Sequence, residues 1–206
     1  MNNDDKICRG ESEVHLNTPI RQYMDLDYLL LLLNKNEYFV RYKAGFSDRN
    51  EKTLPLRDIM PIYLAHHKPI KSKLKDDFAK LSEKHAKYKE LARVPTSCWT
   101  LRNSENALMW LAYTSKFGAC IKSTISKFIS AIDTPDYEIV YGAINYHGYS
   151  FYNNNELFSK ALEFSDEKEL RFYFLENKHQ DVNGKAGVSF PVKPRELINE
   201  VIYLHV

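Results

Sequence analysis

The chain has 206 residues, of which 44% are hydrophobic and 13% aromatic, and this composition predicts a globular fold rather than disorder. Its 29 Lys and Arg against 27 Asp and Glu give a formal net charge of +2, which excludes a broad field that attracts nucleic acid or anionic membrane. Three widely spaced cysteines, Cys8, Cys98 and Cys120, fit neither a disulfide framework nor a paired metal site, and indicate a reducing cytoplasm.

The N-terminus is expected to be a flexible arm over residues 1–18. It opens with polar and acidic residues, where a secretory signal needs basic residues and an apolar stretch. The longest apolar run, at residues 29–33, is far shorter than the roughly 20 residues that span a bilayer. We therefore expect a soluble cytoplasmic protein without a membrane partner.

The first half of the chain predicts a strand, a helix and a second strand, followed by a helical insertion. Aromatic and β-branched residues favour strands at 20–24 and 38–42, and Asp25 can cap a leucine-rich helix that ends near residue 34. A polar loop is expected at 45–51. Apolar residues recur every three or four positions between 70 and 94, which indicates an amphipathic helix within an insertion at about 55–94.

The second half alternates strands with helices. The expected strands lie at 96–101, 118–122, 138–146, 167–175, 188–192 and 200–206, and the expected helices at 104–113, 123–132 and 156–162. Asn103 or Ser104 is expected to cap the first of these helices. This mixed order predicts a single α+β domain over 19–206, with a mixed or largely antiparallel sheet and flanking helices.

The segment around residue 170 separates apolar from charged side chains. In an extended strand, Leu170, Phe172 and Phe174 share one face. The opposite face carries Glu167, Glu169, Arg171 and Tyr173. The pattern predicts either a site built on the charged face or a half-exposed strand with a surface ion ladder.

Several segments resemble a bacterial and phage family of uncharacterised proteins, domain of unknown function 2971. The resemblance extends from about residue 20 to residue 206. It is carried by the segments at 23–26, 38–41, 97–99, 109–113, 118–124 and 142–146, by Asp48 and Glu51, and by Lys160, Phe164, Glu167, Glu169 and Arg171. This resemblance does not imply a function.

A second resemblance is to ADP-ribosyltransferases. One branch of that superfamily carries a basic residue on an early strand, a Ser-Thr-Ser-type segment on a middle strand and a Glu-x-Glu pair near a later strand. Arg21, then Ser123 and Thr124, then Glu167 and Glu169 follow that order here. The resemblance implies an ADP-ribosyltransferase-like fold and NAD as the cofactor.

The resemblance also implies roles for these residues. Glu169 would stabilise the oxocarbenium character that develops when nicotinamide leaves the ribose, Glu167 would act on the acceptor side, and Ser123 would position Glu169. A guanidinium could hold a cofactor phosphate. Arg21 is one candidate, but Gln22 takes the place directly before Tyr-Met-Asp where relatives often carry the basic residue. Because successive strand residues point to opposite faces, Arg21 would face away from the position that Gln22 takes. Arg41 is therefore the other candidate.

The remaining candidates for cofactor binding are Tyr23, Thr124, Trp110 and Tyr113. Trp110 and Tyr113, with Trp99, could form an aromatic wall for a nicotinamide or a base, or could pack in the core. Thr124 could instead cap the helix that follows it. No cysteine or histidine spacing typical of a zinc site occurs, so we assign no metal ligands.

The leading functional prediction is an NAD-using ADP-ribosyltransferase-like enzyme that acts as a toxin or phage-defence effector on a protein or nucleic acid acceptor. A non-catalytic module that binds a nucleotide, a nucleic acid or a protein is the alternative. A further alternative is a metal-dependent nuclease that uses Asp48, Glu51 and the Glu167 and Glu169 pair. The oligomeric state is left open.

Overall fold

The computed structural model describes residues 7–9, 14–43, 93–147, 158–176 and 186–204. The chain divides into two compact units, one formed by Met1–Arg41 with Pro95–Val206 and the other by Tyr42–Val94. In the second unit, the backbone N–H of Lys43 donates to the carbonyl of Val94 at 3.3 Å. The loop predicted at 45–51 and nearly all of the helical insertion predicted at about 55–94 lie outside the described residues.

The described strands are numbered in chain order. They are β1 (Ile7–Arg9), β2 (Pro19–Asp25), β3 (Glu37–Tyr42), β4 (Pro95–Thr100), β5 (Gly118–Thr124), β6 (Tyr137–Ala143), β7 (Asn145–His147), β8 (Ser159–Ala161), β9 (Glu169–Glu176), β10 (Gly187–Pro191) and β11 (Glu200–Leu204). The described α-helices are α1 (Leu26–Lys35), α2 (Ala107–Tyr113), α3 (Ile125–Ala131) and α4 (Pro194–Leu197). A 3-10 helix spans Leu162–Glu167.

Nine of these strands form one sheet in the order β1-β6-β9-β4-β2-β5-β11, with β3 also paired to β4 and with β10 paired to β3. In this order, each pair of neighbouring strands between β6 and β11 is antiparallel, and so is the pair of β10 and β3. Strands β1 and β6 are parallel. The short strands β7 and β8 form a separate parallel pair. The predicted α+β class with a mixed, mostly antiparallel sheet is confirmed.

The hydrophobic core lies on the face of the sheet that α3 covers. Phe128 of α3 is fully buried, and its ring centroid lies 4.1 Å from that of Phe172 and 5.1 Å from that of Trp99. Helix α1 adds Leu29 and Leu32, which are three positions apart and therefore share one face of the helix. The alternation predicted for Leu170, Phe172 and Phe174 is confirmed, because all three are buried in this core.

Four local predictions differ from the structure. Helix α2 is capped by Asn106, whose side chain accepts from the Leu108 N–H, and not by Asn103 or Ser104. The strand predicted at 138–146 is interrupted at Ile144, whose N–H turns to donate to the Glu169 carbonyl at 2.9 Å. Residues 159–161, predicted as helical, form β8, and within the predicted N-terminal arm the segment Ile7–Arg9 pairs with β6.

The described helices are too short or too polar to cross a membrane: none of them reaches the length and mean hydropathy that a bilayer span requires.

Tyr141 gives a prediction about the core, because its buried hydroxyl has no hydrogen-bond partner in the described structure. Tyr141→Phe is expected to leave the free energy of unfolding unchanged or to raise it by about 1 kcal/mol, since it removes an unsatisfied polar group. Tyr38→Phe is the matched control: the Tyr38 hydroxyl bonds to Ser97 and Gln22, and its loss is expected to cost about 1–2 kcal/mol. Urea denaturation followed by tryptophan fluorescence measures both changes, and a larger loss for Tyr141→Phe than for Tyr38→Phe would contradict the prediction.

Candidate functional site

The candidate site lies on the sheet face opposite the α3 core, at the start of β9. The side chains of Glu169, Arg171 and Tyr173 project to this face, and all three are buried, with Arg171 at 0% exposure. The alternative of a half-exposed strand with a surface ion ladder is therefore wrong, because both faces of β9 are covered. The site is an interior charge cluster.

Glu169 and Arg171 form a two-pronged ion pair. Arg171 Nε donates to Glu169 Oε1 at 2.6 Å, and Nη2 donates to Oε2 at 2.9 Å. Arg171 Nη1 also reaches the Tyr173 hydroxyl at 3.4 Å. This fork geometry fixes the carboxylate more firmly than a single contact does, because two parallel bonds define its plane.

Glu167 does not belong to the strand, contrary to the prediction. It ends the 3-10 helix, and Lys168 follows in a left-handed backbone conformation with φ of 45°. This turn separates Glu167 from the regular alternation of β9. The two carboxylates nevertheless meet at Lys160 of β8, whose Nζ lies 2.7 Å from Glu167 Oε2 and 3.3 Å from Glu169 Oε2. We call these five residues, Lys160, Glu167, Glu169, Arg171 and Tyr173, the Glu169 cluster.

The Glu169 cluster balances two carboxylates against two cations. Burial raises the pKa of Glu169, but the charge and hydrogen bonds of Arg171 and the charge of Lys160 outweigh it and lower that pKa to about 2. The Cys98 thiol on β4 also bonds to Glu169 and acts in the same direction. Glu169 is thus ionised throughout the neutral range.

Two tyrosines border the cluster. The Tyr146 hydroxyl accepts the backbone N–H of Glu169 at 2.8 Å, and burial raises the pKa of Tyr146 to about 12. Burial, followed by the charges of Glu167 and Glu169, raises the pKa of Tyr113. The Tyr113 side chain is 41% exposed, so it forms the solvent-facing edge of the cluster.

Strand register places Arg21 on the same face as Glu169. Arg21 of β2 lies opposite Thr100 of β4, and Thr100 lies opposite Glu169 of β9. Residues directly opposite each other in antiparallel strands share a face, and two strand spacings separate Arg21 from Glu169 by about 10 Å of backbone. Gln22 points to the core side, where it bonds to Tyr38. Of positions 21 and 22, position 21 shares the face of Glu169, so Arg21 lies there, one place before the expected position.

Thr100 is a site residue that sequence reasoning missed. Its hydroxyl donates to the backbone carbonyl of Glu167 at 2.6 Å, and therefore ties the turn before β9 to β4. Its position directly opposite Glu169 depends on pairing between segments about 70 residues apart. A hydroxyl residue on a strand is too common a signal to have revealed it.

The two arginine candidates have different partners. The Arg21 guanidinium donates to the carbonyl of Asn103, its one side-chain hydrogen bond in the described structure, so its other N–H groups are available to an anion. Arg41 donates to the Tyr28 hydroxyl at 3.1 Å, and its guanidinium lies 6.0 Å from the centre of that ring. No contact in the described structure links Arg41 to the Glu169 cluster.

Ser123 lies on the core face, so it is not brought next to Glu169. Ser123 lies opposite Ile20 in β2, and Ile20 points to the face opposite its neighbour Arg21, which is on the site face. The Ser123 hydroxyl donates to the Leu197 carbonyl at 2.6 Å. Thr124 caps α3, with its hydroxyl accepting the N–H of Lys127 at 3.3 Å. The alternative interpretation of Thr124 as a helix cap is confirmed.

Tyr23 of β2 packs against Trp110 of α2. Their ring centroids lie 4.8 Å apart with the planes nearly perpendicular, in a small apolar cluster with Met109 and Cys120. The Tyr23 hydroxyl accepts the N–H of Asn106 at 3.3 Å. Core packing, the alternative for Trp110, is what the structure shows, and Trp99 packs in the main core.

Of the carboxylates considered for a metal site, Glu167 and Glu169 both contact Lys160 in the described structure. Asp48 and Glu51 lie outside the described residues. Within the described ranges, no group of three or more His, Cys, Asp or Glu side chains is arranged to hold a metal ion.

Comparison of the chain with family models, with curated proteins and with solved structures found no match. The two resemblances noted from the sequence therefore stay predictions.

The buried ion pair predicts a specific pH dependence of stability. Because folding lowers the pKa of Glu169 from 4.5 to about 2, its ionised form adds stability above pH 4.5, and this contribution is lost as the pH falls toward 2. Glu169→Gln is expected to lower the free energy of unfolding at pH 7 by about 3–5 kcal/mol, partly because Arg171 loses its partner. The deficit is expected to shrink as the pH approaches 2, where about half of the Glu169 carboxyl is protonated.

Urea denaturation of wild type and variant between pH 7 and pH 2 measures this deficit. Glu196→Gln is the matched control, because Glu196 pairs with Lys193 at 3.2 Å on the surface, with 54% of its side chain exposed. A deficit for Glu169→Gln that does not change with pH would contradict the prediction.

Proposed function

We propose that the chain is an ADP-ribosyltransferase-like enzyme that uses NAD, with Glu169 and Glu167 as its catalytic carboxylates and Arg21 as its phosphate-binding cation. The observation that carries the proposal is the cross-strand row of Arg21, Thr100 and Glu169. This row has the basic residue on an early strand and the Glu-x-Glu pair at a later strand, as in the resemblance, and Thr100 stands where the resemblance has a Ser-Thr-Ser-type segment. The middle strand is β4, in place of the strand that carries Ser123.

The chemistry of the row fits NAD. When bound, NAD supplies a nicotinamide leaving group and a ribose carbon that becomes electron-poor as the bond to nicotinamide weakens. Glu169 is a fixed negative charge whose orientation Arg171 sets, and such a preorganised charge stabilises positive charge that develops beside it. The guanidinium of Arg21 can bind a phosphate oxygen on the same face.

Glu167 is suited to the acceptor. Its side chain is 17% exposed, against 6% for Glu169, and it lies at the solvent-facing edge beside Tyr113. A carboxylate in that place can accept a proton from an incoming hydroxyl, amine or amide. We assign the acceptor to a protein or nucleic acid, and the biological role to a toxin or phage-defence effector in the cytoplasm.

Nicotinamide release from NAD tests the proposal. The wild type is expected to release nicotinamide. Glu169→Gln is expected to reduce the rate of release by about 100-fold or more, because the charge that stabilises the ribose is lost. Arg21→Ala is expected to raise the KM for NAD, since Arg21 acts through binding. Glu196→Gln, on the surface, is expected to match the wild type.

Circular dichroism of each variant separates a loss of chemistry from a loss of fold. A folded wild type that neither releases nicotinamide nor shifts its melting temperature with NAD would contradict the proposal. A shift with NAD but no release would favour a nucleotide-binding module. A shift with Mg²⁺ or Mn²⁺ alone would favour the metal-dependent nuclease.

A further inference from the structure

Lys160 occupies the centre of the carboxylate pair. It comes from β8, and its side chain is 7% exposed. Its ammonium contacts Glu167 and Glu169 and lies 4.6 Å from the centre of the Phe164 ring, so it is held on three sides by the 3-10 helix and the start of β9. A lysine is rarely buried without such partners, because the desolvation of its charge must be offset.

The two carboxylates depend on Lys160 to different degrees. Glu169 has both of its oxygens bonded to Arg171, so it keeps a cation if Lys160 is removed. Among the described residues, Lys160 is the cation paired with Glu167. Without Lys160, two negative charges would face each other, and the remaining cation, Arg171, is bonded to Glu169. Glu167 would then be repelled toward solvent.

The other polar groups around the pair do not replace this ammonium. Tyr113 of α2, Tyr146 of β7 and Tyr173 of β9 lie near the two carboxylates, and the raised pKa of each keeps it neutral near pH 7. Arg171, the other cation, is turned toward Glu169 and Tyr173. The place of Glu167 beside Glu169 therefore depends on Lys160.

We propose that Lys160 is a positioning residue that holds the Glu167 carboxylate beside Glu169, so that the acceptor-side group and the ribose-side group form one site. This inference rests on the proposed function. It concerns a residue that does not belong to the Arg21, Thr100 and Glu169 row and that reaches the site from a separate pair of strands, β7 and β8.

Three substitutions test the role of Lys160. Lys160→Met removes the charge and keeps the apolar stem, Lys160→Gln keeps a hydrogen-bond donor without charge, and Lys160→Arg keeps the charge. Lys193→Met is the matched control, because Lys193 pairs with Glu196 on the surface and is 71% exposed. Each variant is first checked for folding by circular dichroism.

The rate of nicotinamide release from NAD, which accompanies transfer of ADP-ribose to the acceptor, is the first measurement. Lys160→Met and Lys160→Gln are expected to lower kcat about tenfold or more with little change in the KM for NAD, because the acceptor-side carboxylate is displaced while Arg21 is untouched. Lys160→Arg is expected to restore most of the rate. A folded Lys160→Met or Lys160→Gln variant with an unchanged or higher kcat would overturn the proposal, and a higher kcat would mean that Lys160 obstructs the site.

Titration of the Glu169 carboxyl by ¹³C NMR is the second measurement, and it does not need activity. The pKa of Glu169 is expected to rise from about 2 in Lys160→Gln and to stay near 2 in Lys193→Met. If the wild type lacks activity, the proposed function fails while this titration still decides whether Lys160 controls the carboxylate pair. An unchanged pKa of Glu169 in Lys160→Gln would overturn the proposal.

Discussion

The buried Glu169 and Arg171 pair is the interaction on which the site face of the sheet depends. Removing two charges from water costs several kcal/mol for each ion, and the cost is offset only when the geometry is good and the remaining polar atoms are bonded. Arg171 therefore requires the Tyr173 hydroxyl, and Glu169 requires Lys160 and Cys98. These partners come from three different strands, so the pair fixes how β8 and β4 lie against β9.

The same constraint makes the two glutamates unequal. Glu169 begins β9, and it is held by Arg171 inside the sheet. Glu167 ends the 3-10 helix, and the left-handed turn at Lys168 directs it to the edge of the cluster. Thr100 binds the carbonyl of Glu167, so the turn is tied to the sheet although it lies outside it. Glu169 is thus the more firmly held carboxylate, and Glu167 is the more exposed one.

Rigid support holds the charged groups of the site face in fixed positions. Groups held on strands keep their positions better than groups on long loops, and Arg21 and Glu169 lie on strands that flank the same central strand, β4. The apolar cluster of Tyr23 and Trp110 packs α2 onto the site face, which brings Tyr113 to Glu167.

The sequence by itself determined the α+β class, the position of most strands and helices, and the two faces of β9, because these follow from periodicity over a few residues. The sequence also indicated that Thr124 could cap a helix and that Trp110 could pack in the core. Only the tertiary structure decided that Arg21 shares a face with Glu169, that Ser123 does not, and that Thr100 and Lys160 join them. These outcomes depend on the register between strands far apart in the chain. A shift of one residue in register reverses the face of every side chain, and local patterns do not specify it.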